Sequence, residues 1–208
     1  RRQRQMCIRD SRMTGVSKNT VTKLLVDLGR VCEDYHDEHV RGLMSERVQC
    51  DEIWSFCYAK DKNLPNSKRD DPGVGSIWTW TGLDADSKLM VTWFVGDRGH
   101  DSARAFMLDL AGRIDNRIQL TTDGHAAYPP AVREAFGSDI DYAQLIKIYG
   151  EDRSTQARYS PGVCLGTKKI AISGGPLRCD TSTSYVERQN LTMRMQMRRF
   201  TRLTNAFS

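Results

Sequence analysis

Apolar and polar positions change period along the chain, and each change marks an element. Val21, Leu24, Leu25 and Leu28 recur at helical spacing behind a turn at Gly15 and a capping Ser17. Residues 31–47 are highly charged and predict a helical connector. Residues 48–58, Val-Gln-Cys-Asp-Glu-Ile-Trp-Ser-Phe-Cys-Tyr, are mostly aromatic and apolar and read as a strand. After a polar loop at 60–75, strand patterns return at 76–83 and 89–95. The Asp84-Ala-Asp-Ser-Lys88 turn between them makes the pair a hairpin. Asp101 caps a helix running to about Ile114. Residues 117–123 form a short strand broken by Gly124, and a helix follows from Tyr128 to Phe136, opened by Pro129 and Pro130. Residues 140–149 are a strand, 150–182 a glycine- and proline-containing loop, and Tyr185 to about Leu203 a final helix. Residues 1–12 show no periodicity and are read as a non-native extension without structural weight.

This order predicts an α/β fold: a mixed five-stranded sheet, with three antiparallel strands first, flanked by helices. The 208 residues are 39% hydrophobic and 27% charged, which fits one soluble globular core. No apolar run is long enough to span a bilayer, and no signal peptide is visible, so no membrane partner is expected. The net charge of +5 favours a nucleic-acid partner. None of the six cysteines has C-x-x-C spacing, so they read as reduced thiols of a cytosolic protein, with Cys50 and Cys57 as small core residues.

Within residues 13–30, Gly-Val-Ser-x-x-Thr-Val resembles the turn and second helix of a helix-turn-helix, whose first helix would fall in residues 1–12. Lys18, Asn19, Thr20, Thr22 and Lys23 would then face DNA phosphates and base edges. The alternative is an ordinary amphipathic helix. In the connector, His36 and His39 with Asp37 or Glu38 are a conceivable metal site, but a solvated helix accounts for them better.

Asp51 and Glu52 sit inside the apolar strand at 48–58, where a charge is costly unless it is paired or bound to a metal. Two readings stand. One is an acid facing solvent from an edge strand; the other is a metal-binding carboxylate. Asp123 ends the fourth strand and Glu187 opens the last helix, at separations of 123 − 51 = 72 and 187 − 123 = 64 residues. If the first and fourth strands are neighbours, Asp51 and Asp123 face each other, and the helix brings Glu187. Three such carboxylates stay ionised only if cations share their charge. Magnesium suits oxygen-only ligands, and two ions would serve phosphodiester chemistry. Because adjacent strand residues point to opposite faces, only one of Asp51 and Glu52 is expected to join the cluster. The last helix carries Arg188, Arg194, Arg198, Arg199 and Arg202. Arg194 lies 194 − 187 = 7 residues beyond Glu187, on nearly the same face, and is expected to hold a DNA phosphate. His125 is assigned either a contact near the scissile bond or a structural hydrogen bond. The four tryptophans are assigned to the core.

Three motifs in order carry a family resemblance: Cys-Asp-Glu-Ile-Trp-Ser-Phe at 50–56, Thr-Thr-Asp-Gly-His-Ala-Ala-Tyr at 121–128 and Val-Glu-Arg-Gln-Asn-Leu-Thr-Met-Arg at 186–194. From about Gly15 onward the chain resembles the DDE transposases of the IS-one family of bacterial insertion sequences. The resemblance implies a ribonuclease-H-like catalytic domain at 48–208 with a truncated C-terminus. Asp51, Asp123 and Glu187 would be both catalytic and metal-binding, with Asp51 chosen over Glu52, and Arg194 the basic residue that follows. It implies Mg2+ (or Mn2+) as cofactor, two ions in the active complex, and double-stranded DNA as partner, both element ends and target. Cleavage of ends would be followed by joining of the 3′ hydroxyl to target DNA, in the bacterial cytoplasm and at the nucleoid. A homodimer or larger synaptic complex would be needed, although no heptad or other interface signature is evident. The cysteine-rich zinc segment usual in the family is not present in these residues. The alternative function is a truncated, non-cleaving DNA-binding protein or repressor, and a ribonuclease-H-fold nuclease for other substrates is a third.

Overall fold

The computed structural model describes residues 2–69, 71, 73–150, 164–197 and 200. Its centre is a six-stranded mixed sheet of order β3-β2-β1-β4-β5-β6. Strands β1 (Arg47–Cys57), β2 (Gly75–Asp84) and β3 (Met90–Gly96) are antiparallel neighbours. The β2–β3 turn is closed as the sequence predicts, with the Asp84 carboxylate accepting the N–H groups of Asp86 and Ser87. Strand β4 (Gln119–Thr122) runs parallel to β1, and β5 (Asp141–Tyr149) runs parallel to β4.

The sixth strand corrects the expected five. β6 (Cys164–Ser173) pairs antiparallel with β5 inside the stretch the sequence predicts as loop. It is an edge strand with mostly exposed side chains. It is held by its backbone ladder and shows no period-2 apolar pattern by which it could be recognised.

Two layers cover the sheet. Helices α3 (His100–Ala111) and α4 (Tyr128–Phe136) lie on one face, where Val48, Cys50, Trp80, Phe106, Leu110, Leu120, Tyr128 and Tyr142 form the core. Of the four tryptophans only Trp80 is fully buried; Trp54 and Trp78 are half-buried and Trp93 is exposed, so assignment of all four to the core is corrected. The six cysteines are free, Cys50 in the core and Cys57 half-buried. Helix α5 (Ser184–Gln196) crosses the other face. It stops at Gln196, short of the expected Leu203, and Met197 is extended.

At the N-terminus, α1 (Arg2–Thr14) and α2 (Lys18–His39) meet at a turn where Gly15 takes φ +72°, a conformation that favours glycine. Residues 2–12 are therefore helical, not structureless, and Cys7 is buried. Packing against α2 supplies what local periodicity lacks. α2 is also continuous through residue 30, where the sequence divides motif from connector. Among the described residues no helix is long and apolar enough to cross a membrane.

Candidate active site

β1 and β4 pair only from Arg47↔Gln119 to Gln49↔Thr121. Beyond that, β1 continues while the chain leaves β4 at Asp123 and Gly124. A Cβ at Gly124 would lie 3.0 Å from Ile146, so glycine eases this close exit against β5. The departure opens a cleft of about 750 Å³ at the carboxyl end of the parallel strands. Asp51, Glu52, Asp123, His125, Lys147 and Glu187 are among the residues that line it.

Oxygens of Asp51, Glu52 and Asp123 lie within 4.8 Å of one another. Glu52 therefore joins the cluster, which corrects the expectation that only one of the adjacent acids could. The alternation of faces still holds. Gln49 and Asp51 bond to α5, while Val48 and Cys50 lie in the core beneath α3 and α4. With β4 ended, no strand separates the two faces here, and Asp123 stands in the gap within reach of both carboxylates.

Each acid is held differently. Asp51 Oδ2 accepts from Asn190 Nδ2 at 2.8 Å. Burial raises its pKa to about 6, with Asn190 opposing the rise and the charges of Asp123 and Glu187 adding to it. The Glu52 side chain is 1% exposed, and its Oε2 accepts from Arg98 at 3.2 Å. Burial, and then the charge of Asp123, raise its pKa to about 7, against the pull of Arg98. The Tyr128 hydroxyl is near enough to lower that pKa slightly, yet neither Tyr128 Oη nor Glu52 Oε1 makes a hydrogen bond of good geometry. Asp123 Oδ1 accepts the His125 N–H at 2.9 Å, so it also closes its own turn, and its Oδ2 lies 3.8 Å from Arg98.

A divalent cation fits this arrangement. The donors are all oxygen, they converge, and the buried Glu52 Oε1 is unpartnered, as a hard oxygen-seeking ion requires. Asp51, Glu52 and Asp123 would hold it. His36 and His39 do not form a second centre. His36 Nε2 donates to Met90 O and His39 Nδ1 to Tyr35 O, and the described residues bring no metal-binding group together there.

Glu187 lines the same cleft but is outside the close trio. Lys147 Nζ lies 2.5 Å from its Oε2, and Thr183 Oγ1 donates to its Oε1. Burial would lower the Lys147 pKa, but the Glu187 hydrogen bond and charge raise it. The first turn of α5 is anchored by Gln49, whose Oε1 accepts the N–H groups of Tyr185 and Val186. Asn190 Oδ1 accepts from Thr81, and Arg194 Nη1 donates to Trp54 O and Phe200 O. β1 thus supplies Asp51 and Glu52 and also, through Gln49 and Trp54, supports of the helix that faces them.

Sequence reasoning missed Arg98, Lys147, Gln49 and Asn190; same-face spacing to Asp51 and Glu187 could have marked Gln49 and Asn190, while Arg98 and Lys147 carry no such signal. Arg98 stacks 4.5 Å from the Trp78 ring, and His125 Nε2 donates to its carbonyl at 3.2 Å. That bond fixes the proton on Nε2, and burial and the Arg98 charge lower the His125 pKa. Of the DNA-facing candidates, Asn19, Thr20, Thr22, Lys23 and Arg188 are exposed, Lys18 and Arg194 are half-buried, and Arg198 lies outside the described residues, as do Arg199 and Arg202. Lys18 to Lys23 lie on α2, away from the cleft residues.

No family model matches the chain, and no curated protein matches it.

Proposed function

We propose that this chain is a DDE-type transposase. It would cleave the ends of a mobile DNA element and join the freed 3′ hydroxyl to target DNA. The observation that carries the reading is the convergence of Asp51, Glu52 and Asp123 in an open cleft, with Glu187 across it on α5. The resemblance of residues 50–56, 121–128 and 186–194 to the IS-one family supports the same reading.

Asp51, Glu52 and Asp123 would hold Mg2+, or Mn2+ in its place. When bound, the ion would supply Lewis acidity toward a phosphodiester oxygen and toward the attacking hydroxyl. Arg98 and Lys147 would hold backbone phosphates. Arg98 stands beside the acids, and its planar fork suits phosphate oxygens. Neutral His125, oriented through the Arg98 carbonyl, offers Nδ1 as an acceptor near the cleft floor. Gln49 and Asn190 fix α5, and so fix where Glu187 stands. α1 and α2, acting as a partial helix-turn-helix, would read the element ends through Lys18, Asn19, Thr20, Thr22 and Lys23, while Arg188 contacts backbone.

The test is end joining. DNA bracketing the reading frame is incubated with plasmid target and Mg2+, with wild type, Asp51→Asn and Glu187→Gln. Wild type is expected to yield joined products and both variants none. Joining that survives either substitution overturns the assignment.

A second reading, a DNA-binding protein without strand cleavage, draws on one observation. Arg98 and Lys147 already pair with Glu52 and Glu187. Tight DNA binding with no metal-dependent product selects it.

A further inference from the structure

Strand β4 ends at Thr122, and its neighbours β1 and β5 run past it on either side of the gap. The register Gln49↔Thr121↔Ala143 puts these three residues on one face of the sheet, the face that α5 crosses. Alternation along each strand carries that face on to Asp51 of β1 and to Leu145 and Lys147 of β5. Lys147 therefore enters the cleft from the side opposite Asp51, at the first turn of α5, where Glu187 stands. Both carboxylate oxygens of Glu187 are engaged there. Lys147 Nζ lies 2.5 Å from Oε2, and Thr183 Oγ1 donates to Oε1. The ammonium is also close enough to Asp51 for that charge to raise its pKa. Lys147 thus feels the acids of both β1 and α5.

The donors for a metal lie elsewhere. Asp51, Glu52 and Asp123 offer three converging oxygens without Glu187, and the buried Glu52 Oε1 has no hydrogen-bond partner. Three carboxylates supply half of the octahedron that Mg2+ prefers and leave the rest for water and phosphate oxygens. A second ion would have Glu187 as its remaining carboxylate, and that carboxylate is already neutralised. The second ion would also stand against the Lys147 charge, and like charges at contact distance repel.

We propose that the site takes one divalent cation and that Lys147 is its second cation, a catalytic residue bound to Glu187 on one side and to the reacting phosphate on the other. An ammonium carries three N–H donors, so pairing with Glu187 leaves others for a phosphate oxygen. Glu187 is then a positioning residue, which holds Lys147 toward the cleft and does not ligate the metal. The inference rests on the proposed function and its metal site.

The experiment counts ions. The full chain is titrated with Mn2+ without DNA, free Mn2+ is read by electron paramagnetic resonance, and plasmid nicking is measured at the Mn2+ concentration that fills the wild-type site. Wild type is expected to bind one ion. Glu187→Gln is expected to keep that ion within about threefold of the wild-type affinity, and Asp123→Asn to weaken it at least about tenfold. Lys147→Gln releases Glu187 and is expected to bind a second ion, which is lost again when Glu187→Gln is added. Nicking is expected to fall at least about tenfold in Lys147→Gln and to recover in part in Lys147→Arg. Two ions in wild type, loss of the ion in Glu187→Gln, a single ion in Lys147→Gln, or undiminished nicking by Lys147→Gln overturns the role of Lys147 and leaves the function standing. No bound Mn2+, or no nicking by wild type, overturns the function and this role with it.

Discussion

Asn190 on α5 donates through Nδ2 to Asp51 Oδ2 at 2.8 Å, and its Oδ1 accepts from Thr81 at 3.1 Å. One buried amide therefore fixes the helix to β1 and β2 and orients the carboxylate that sequence reasoning places first in the site. Asn190→Ala leaves the Thr81 hydroxyl without this acceptor and Asp51 without this donor. The Thr81 hydroxyl keeps the Asp51 carbonyl as an acceptor at 3.0 Å, so the expected cost of about 1–3 kcal/mol is that of leaving the Asp51 carboxylate without its donor. Urea denaturation measures it; a change below the precision of the method would show that α5 is held by other contacts.

Gln49 acts at the other end of that helix. It accepts two N–H groups of the first turn, which otherwise have no intrahelical partner. Gln49→Ala is expected to destabilise the protein by about 1–2 kcal/mol, in the range of a lost helix cap. Amide exchange at Tyr185 and Val186 should accelerate more than exchange in α3.

Glu52 is expected to contribute to the pH dependence of the metal-free protein. Its pKa is raised from 4.5 to about 7 in the folded state, so the folded protein holds this proton more tightly than the unfolded chain. The contribution to stability is full below 4.5 and is lost as pH rises through about 7, on the order of 3 kcal/mol at 1.36 kcal/mol per pH step. Asp51, raised from 3.8 to about 6, acts in the same direction. In chelator, Glu52→Gln is expected to flatten the fall in melting temperature between pH 5 and pH 8. An unchanged slope would place the titration elsewhere.

A divalent cation held by Asp51, Glu52 and Asp123 would reverse that penalty, because it would bind the deprotonated carboxylates of the folded protein. Millimolar Mg2+ is expected to raise the melting temperature above neutral pH and have little effect near pH 5. Asp51→Asn and Asp123→Asn should each remove most of the increase. An equal increase in those variants would assign it to nonspecific salt.

Much of the framework was legible in the sequence. Periodicity predicts helix 128–136 with the bounds the structure shows, and five strands to within two residues, because each carries apolar residues that face α3, α4 or α5. What escaped did so for physical reasons. β6 is held by hydrogen bonds at an exposed edge, and α1 by packing against α2, so neither has a strong pattern of its own. Side-chain alternation gives the direction of Glu52 correctly. The length at which β4 stops decides whether a carboxylate reaches past it, and that length belongs to the fold. Gln49 stands two residues before Asp51 on β1 and Asn190 three residues after Glu187 on α5, spacings that share a face with those acids, whereas Arg98 and Lys147 join the site from separate elements and no local spacing marks them.

Metal-dependent chemistry on DNA by Asp51, Glu52 and Asp123 is tested most directly by nicking of supercoiled plasmid. Wild type, Asp51→Asn, Glu52→Gln and Asp123→Asn are compared in Mg2+, in Mn2+ and in chelator, with DNA binding measured in parallel. Nicking by wild type that needs the metal and falls at least about a hundredfold in each variant, while DNA binding persists, is the expected result. Nicking that survives chelation, or that is unchanged in Asp51→Asn, would contradict it.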